Sequence, residues 1–180
     1  MTPPTTTFVA LLRGINVGKA KRVAMADLRA MVEGLGCGDV RTILNSGNVV
    51  FTDRRSAPQE IASAIEGGIE RVFGFSARVT VLAAGELAQI VVENPLVEIA
   101  TNPSRLLVTV PTEASDLNML APLQERDWSP DELALGKRAA YLWCPNGVLA
   151  SPLNEPIARL LGEAVTTRNW STISKLHAIC

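Results

Sequence analysis

Three short polar segments carry the groups of this chain that could bind a ligand. They are residues 13–18 (Arg-Gly-Ile-Asn-Val-Gly), 45–48 (Asn-Ser-Gly-Asn) and 166–170 (Thr-Thr-Arg-Asn-Trp). Each follows or interrupts a β-branched run, which predicts a loop at the rim of a sheet. Guanidinium groups, side-chain amides and the N–H groups of glycine turns can hold a carboxylate or a phosphate. The predicted ligand-binding residues are Arg13, Asn16, Asn45, Ser46, Asn48, Arg168 and Asn169.

The same segments do not name a reaction. They contain no carboxylate pair, no Cys–His arrangement and no metal-ligand cluster, and the chain has neither a GxxxxGK[ST] nor a GxGxxG motif. The sequence therefore predicts no metal and no cofactor, and it leaves open whether the protein is an enzyme. The single histidine, His177, has no partner nearby and is expected at the surface. Cys37 lies between two glycines and is expected to be an inert thiol.

Composition limits the class of protein. The 180 residues are 47% hydrophobic and carry 17 Lys+Arg against 18 Asp+Glu, a net charge of −1. The chain is long enough to form a core, and its charge balance argues against a general nucleic-acid binder. Three cysteines at unrelated spacings indicate reduced thiols rather than disulfides. Residues 1–7 resemble neither a signal peptide nor an anchor, and no apolar run is long enough to span a membrane, so we expect a soluble cytoplasmic protein.

Hydrophobic spacing predicts the order β-α-β-β-α-β twice. The strands are predicted at residues 8–12, 40–44, 49–52 and 77–82, and again at 105–110, 132–135, 138–144 and 164–167. Helices are predicted between them, with one more near residue 87 and one at the C-terminus. This order indicates an α+β fold of two ferredoxin-like (βαββαβ) halves packed together, with mostly antiparallel sheets. Residues 1–94 form the N-terminal half, 95–104 a linker, and 105–180 the C-terminal half with a terminal helix; the alternative is one larger mixed sheet.

This topology brings two of the polar segments together. Because the first and third strands of a ferredoxin-like half are central antiparallel neighbours, residues 13–18, the start of the first helix and residues 45–48 share one edge. Residues 22–25 offer no Ser, Thr, Asp or Asn to cap that helix, so an anion could do so. The topology leaves open whether residues 166–170 reach the same edge.

Structural roles are the alternative for each of these residues. The glycines and Asn16 could shape their own loop, and residues 45–48 have the types that a tight hairpin requires. Asn169 could cap the terminal helix, and Arg168 could tie the tail to the body through an ion pair. The basic residues of the first loop belong either to the anion site or to a solvated face: Lys19, Lys21 and Arg22.

Taken together, the motifs resemble a known family. The runs LLRGINVG (residues 11–18), MADLR (25–29), SGNVVF (46–51) and TTRNW (166–170) are similar to signatures of the bacterial family named domain of unknown function 1697. The resemblance extends from about residue 8 to residue 176, with Lys19 where a second glycine is usual. It implies a small cytoplasmic α+β protein with ferredoxin-like subdomains, and it implies no established activity, cofactor or catalytic residue.

Three functional hypotheses follow. The first is binding of an anionic small molecule, phosphorylated or nucleotide-like, with Arg13 and Asn16 on the anion, residues 45–48 fixing its orientation and Arg168 adding charge. Any catalysis would then be electrostatic and positional. The second is a nucleic-acid-binding module that uses residues 19–22 on phosphates. The third is a protein-interaction module without catalysis, which would use an exposed sheet face or edge. Membrane binding is not expected, and the oligomeric state is open.

One aromatic pattern bears on the nucleic-acid hypothesis. Tyr141 and Trp143 alternate along a predicted strand, as the base-stacking aromatics of RNA-recognition sheets do. The basic, Gly- and Phe-rich pattern of those sheets is missing here, so packing between the two halves is the favoured interpretation.

Overall fold

Eight β-strands and six α-helices lie within residues 4–180, the part of the chain that this computed structural model describes. Residues 1–3, which belong to the predicted N-terminal segment 1–7, lie outside the described residues. The chain divides into two compact units. The first runs to Leu87 and includes Leu176–Cys180, and the second is Ala88–Lys175.

The first unit has the predicted β-α-β-β-α-β order. Its strands are β1 (Thr6–Leu12), β2 (Gly38–Ile43), β3 (Asn48–Asp53) and β4 (Val79–Ala83). Its helices are α1 (Met25–Gly34) and α2 (Pro58–Phe73), and α3 (Ala84–Val92) follows β4 directly. The strands lie in the order β2-β3-β1-β4 and every neighbouring pair is antiparallel, which is the ferredoxin-like arrangement.

The apolar stripes of the two helices form the core of this unit against one face of the sheet. Leu28 and Val32 of α1, together with Ile61, Ile65 and Ile69 of α2, are buried in one cluster with side chains of β1 and β3. Burying each side chain of this size contributes roughly 1.5–3 kcal/mol. Pro58 stands in the first turn of α2, where its missing N–H costs nothing, and Gly74 ends that helix at a φ of 75°.

The second unit repeats the arrangement. Its strands are β5 (Leu106–Pro111), β6 (Glu132–Leu135), β7 (Ala140–Trp143) and β8 (Val165–Asn169), in the antiparallel order β6-β7-β5-β8. The helix α5 (Asn154–Leu161) precedes β8, and α6 (Trp170–Ile179) follows it. The predicted α+β class with two antiparallel sheets is confirmed.

The helix predicted between β5 and β6 takes a different form. The segment Ala114–Leu120 is a 3-10 helix, and only Ala121–Gln124 (α4) is α-helical. Pro122 explains the break, because a proline inside a continuous helix would remove a backbone hydrogen bond and clash with the preceding turn. The predicted apolar positions are nevertheless buried: Leu117, Leu120 and Leu123.

The two aromatic side chains of β7 are buried, so they do not form a surface for nucleic-acid bases. Tyr141 is 0% exposed and Trp143 is 7% exposed. The Tyr141 hydroxyl donates a hydrogen bond of 2.8 Å to the carbonyl of Ile90. Burial, reinforced by the negative charge of Glu93, raises the pKa of Tyr141. These rings are core groups, so they cannot stack on an RNA base.

Cys37, Cys144 and Cys180 are all free, as their odd number predicted. Across residues 4–180, none of the helices combines the length and the apolar character that crossing a membrane requires.

Candidate functional site

The end of β1, the first loop (residues 13–24) and the hairpin turn (residues 44–47) lie against one another in the first unit. The N–H group of Leu12 donates to the carbonyl of Gly47 at 2.8 Å. A side chain at Gly47 would place its Cβ 2.7 Å from Cδ1 of Ile15 and 2.8 Å from Cβ of Leu12, and the φ of this glycine is +81°. Glycine is therefore required at position 47, both for its backbone conformation and for this close approach.

Asn16 joins the first loop to the hairpin turn. Its Nδ2 donates to the carbonyl of Asn45 at 2.7 Å and to the carbonyl of Val23 at 3.0 Å. Its Oδ1 accepts the N–H of Val23 at 2.9 Å. The backbone φ is 54°, a left-handed conformation that asparagine tolerates better than most residues. The side-chain amide of Asn16 thus holds together two segments that are 29 residues apart.

Asn48 plays a comparable part inside the hairpin. It is fully buried, and its Nδ2 donates to the carbonyl of Ile43 at 2.8 Å and to the hydroxyl of Ser46 at 2.9 Å. Because a buried amide is costly without partners, these bonds account for asparagine at the start of β3. The polar side chains of the hairpin therefore organise the turn itself.

A cleft of about 290 Å³ opens where the first loop meets the hairpin turn, at the start of α1. Its lining residues are Asn16, Arg22, Val23, Ala24, Met25 and Asn45. Ala24 is the N-cap residue, and within residues 4–180 no side chain forms a capping hydrogen bond there. The first N–H groups of a helix have no partner inside the helix, so the amides of Met25 and Ala26 are available as donors beside the exposed guanidinium of Arg22.

The remaining basic residues of this edge differ in their surroundings. Lys19 is exposed. The Nζ of Lys21 donates to the carbonyl of Ser76 at 3.0 Å and lies 5.8 Å from the ring centroid of Phe75. Arg13 is half-buried, and its backbone N–H donates to the carbonyl of Arg78 at 2.8 Å. Arg22 is thus the basic side chain that lines the cleft.

The third predicted segment lies on β8 and at the start of α6, in the second unit. The Nη1 of Arg168 donates to the hydroxyl of Thr166 and to the carbonyl of Thr167, both at 3.0 Å. Burial lowers the pKa of Arg168 to about 10, so the guanidinium is still charged at neutral pH. The Oδ1 of Asn169 accepts the N–H and the hydroxyl of Thr172, both at 2.9 Å, and in this way it caps α6.

A polar cluster that no sequence motif marks lies at the other end of β3. The Sγ of Cys37 lies 3.2 Å from Oδ2 of Asp53, and Arg55 holds the same carboxylate with its side chain at 2.5 Å and with its backbone N–H at 2.8 Å. Burial first, and then the hydrogen bond to Asp53, raises the pKa of Cys37 to about 12. Burial also acts to raise the pKa of Asp53, but the bonds from Arg55 outweigh it and lower that pKa to about 2.

This cluster makes Cys37 an unreactive thiol at neutral pH, since the thiolate is the nucleophilic form. The sequence predicted an inert thiol, although it did not predict the burial or the two partners. Asp53 and Arg55 are 16 and 18 residues away from Cys37, and no motif marks them. Only the pairing of β2 with β3 brings the three together.

The fold and the cleft define an α+β protein of two ferredoxin-like units, with a loop-rich edge at the start of α1 in the first unit. The chain belongs to the family described as "Protein of unknown function (DUF1697)", whose model matches residues 5–141. The matched range includes residues 13–18 and 45–48, and residues 166–170 lie beyond it.

A solved structure has the same fold. The chain is similar to the "conserved bacterial protein SP0830 from Streptococcus pneumoniae", with a TM-score of 0.78, 24% sequence identity, and coverage of 98% of this chain and 99% of the other. At this identity the likeness shows the fold alone. No curated protein matches the chain.

Proposed function

We propose that the protein binds an anionic small molecule, phosphorylated or nucleotide-like, in the cleft at the start of α1. The observation that carries the proposal is the combination of an uncapped helix start with the exposed guanidinium of Arg22 in one cleft of about 290 Å³. Such a cleft can take a phosphate group and part of the molecule attached to it. The ligand would occupy the position that a capping side chain fills in most helices.

The electrostatics of the cleft favour an anion on balance. The N-terminus of a helix carries a partial charge of roughly +0.5, and Arg22 adds a full positive charge beside it. Arg13, at the end of β1, supplies a further positive charge at the same edge. Asp27, in the first turn of α1, opposes these charges. The helix start and Arg22 together outweigh Asp27, which suits one phosphate or carboxylate group.

Three of the predicted ligand-binding residues then have two kinds of role. Asn45 lines the cleft together with the start of α1. Asn16 and Asn48 act through their structural hydrogen bonds, because they hold the first loop and the hairpin turn in place. A reaction at this site would depend on position and charge.

Thermal unfolding against inorganic phosphate, nucleotides, sugar phosphates and short oligonucleotides tests the proposal. A ligand that binds only the folded state at 100 times its Kd adds about 2.7 kcal/mol of stability. Arg22→Ala should weaken the binding of the active compound by about tenfold or more, the usual range for a charge-assisted contact. Lys19→Ala removes the same charge from the same loop outside the cleft, and it should change the affinity by less than about twofold.

Two results would contradict the proposal. The first is equal weakening by Arg22→Ala and Lys19→Ala, and the second is unchanged binding in both variants. A response to oligonucleotides alone, with a steep dependence on salt and with losses shared by the two variants, would favour the nucleic-acid hypothesis instead.

Asp27 offers an independent test with the opposite sign. Asp27→Asn removes the carboxylate that opposes the anion while it keeps the size of the side chain. We expect the affinity for the same compound to rise, by roughly twofold to fivefold at low salt, because charges near a helix start contribute about 0.3–1 kcal/mol. A fall in affinity would contradict the assignment of Asp27 as a charge that opposes the bound anion.

A further inference from the structure

A second groove lies in the second unit, between α5 and the segment that contains α4. Its volume is about 430 Å³, within the range typical of small-molecule sites. Leu123, Trp128 and Leu160 provide apolar surface, and Met119 at its margin is 46% exposed. A groove with this lining can shield an apolar body from water.

The walls of the groove are held in place. The Nε1 of Trp128 donates to the carbonyl of Leu123 at 2.6 Å, which fixes the orientation of the indole ring. Leu123 is buried in the core of the second unit, and Leu160 and Trp128 pack against the same core. Because these side chains are already held in place, the protein would lose little conformational entropy when a ligand binds.

The charge of the groove is positive on one side. The guanidinium carbon of Arg126 lies 4.9 Å from the ring centroid of Trp128. Over the described part of the chain, its side chain has this ring contact and no carboxylate partner. Glu155, the acidic residue of the lining, is paired with Arg159 on the same helix. The N–H donors of Arg126 are therefore available to an anion, whereas the guanidinium of Arg159 already pairs with Glu155.

We propose that this groove binds a small amphiphilic carboxylate, with an aryl or alkyl body on Trp128, Leu123 and Leu160 and its carboxylate on Arg126. The planar fork of a guanidinium matches the two oxygens of a carboxylate, and the contact with the indole ring keeps the guanidinium of Arg126 beside the apolar wall of the groove. This site lies in a different unit from the cleft at α1 and takes a ligand with an apolar body, so it goes beyond the proposed function.

The test uses phenylacetate as the probe and phenylacetamide as a neutral control of the same shape. Both are titrated into the ¹⁵N-labelled chain of 180 residues, and the indole N–H signal of Trp128, assigned with Trp128→Phe, is followed. Phenylacetate should shift this signal saturably. Arg126→Gln should weaken phenylacetate binding by about tenfold or more, the range for losing a charged hydrogen-bond partner, and change phenylacetamide binding by less than about twofold.

Controls separate the site from general charge effects and from the cleft at α1. Arg126→Lys keeps the charge without the fork and should restore only part of the affinity. Arg22→Ala should leave phenylacetate binding unchanged, so either site can fail without the other. Equal affinity for phenylacetate and phenylacetamide would overturn the proposal. A Trp128 signal that moves with neither compound would also overturn it.

Discussion

Asn16 is the residue whose replacement tests most directly how the candidate site is built. Its side chain makes two hydrogen bonds with Val23 and one with the carbonyl of Asn45, and its backbone has a φ of 54°. Asn16→Ala removes all three side-chain bonds. It also places alanine in a left-handed conformation that it adopts less readily than asparagine.

The size of the effect follows from these contacts. The two half-buried bonds with Val23 contribute about 1 kcal/mol each, and the exposed bond to Asn45 contributes less. The left-handed backbone adds about 1 kcal/mol for alanine. We therefore expect Asn16→Ala to lower the free energy of unfolding by about 3 kcal/mol, and Asn16→Gly, which tolerates the backbone angle, by about 2 kcal/mol.

Urea unfolding measures the total loss, and hydrogen–deuterium exchange locates it. The N–H of Val23 donates to the Oδ1 of Asn16, so its exchange should accelerate strongly in both variants. Asn118→Ala, at an exposed asparagine of the second unit, is the matched control and should change stability by less than about 0.5 kcal/mol. A loss below about 1 kcal/mol in Asn16→Ala, or unchanged exchange at Val23, would refute the assigned role.

Three further predictions concern the first unit and the C-terminal cysteine. Gly47→Ala should lower the free energy of unfolding in urea by about 2 kcal/mol or more, because of the close contacts and the positive φ at this position. The control Gly85→Ala, which has open space in α3, should be neutral or stabilising. Equal effects of the two substitutions would contradict this prediction. The pKa of Asp53 in the folded protein is about 2, so this carboxylate stabilises the fold above about pH 4, and the stabilisation is lost as the pH falls toward 2. Asp53→Asn should remove roughly 2 kcal/mol of this pH-dependent part of the free energy of unfolding. An unchanged pH profile of stability in the variant would count against the prediction. A thiol reagent at pH 8 should label the exposed Cys180 in the native protein and leave the buried Cys37 unmodified, which mass spectrometry can check.

The order and type of the elements could be predicted because they depend on local patterns. Alternating or continuous apolar runs identify strands, and the spacing of Ile61, Ile65 and Ile69 identifies a helix face without knowledge of its partner. The exception, the 3-10 helix before α4, arises where Pro122 interrupts a helical pattern. Leu117 and Leu120 of the 3-10 helix and Leu123 of α4 still reach the core, since the spacing that buries them is similar in both helix types.

The candidate site could be predicted only in outline. Topology alone placed residues 13–18 and 45–48 at one edge, and the bond between Asn16 and Asn45 joins them there. The cleft itself is lined by Arg22 and the start of α1. From the sequence, Arg13 was the predicted ligand-binding residue, and Arg22 could belong either to the anion site or to a solvated face. An asparagine that binds a ligand and one that secures a loop have the same signature in a sequence.

The amino-acid sequence by itself determined the α+β class, the two β-α-β-β-α-β units, the free cysteines and the excess of donors near α1, because these depend on local periodicity and composition. The tertiary structure decided which of those donors the protein uses itself. The tertiary structure also forms the Cys37–Asp53–Arg55 cluster and the groove beside Trp128, and no sequence motif predicts either of them. The physical reason is that hydrogen-bond partners and clefts depend on the distances between segments far apart in the chain, and those distances exist only after the strands have paired.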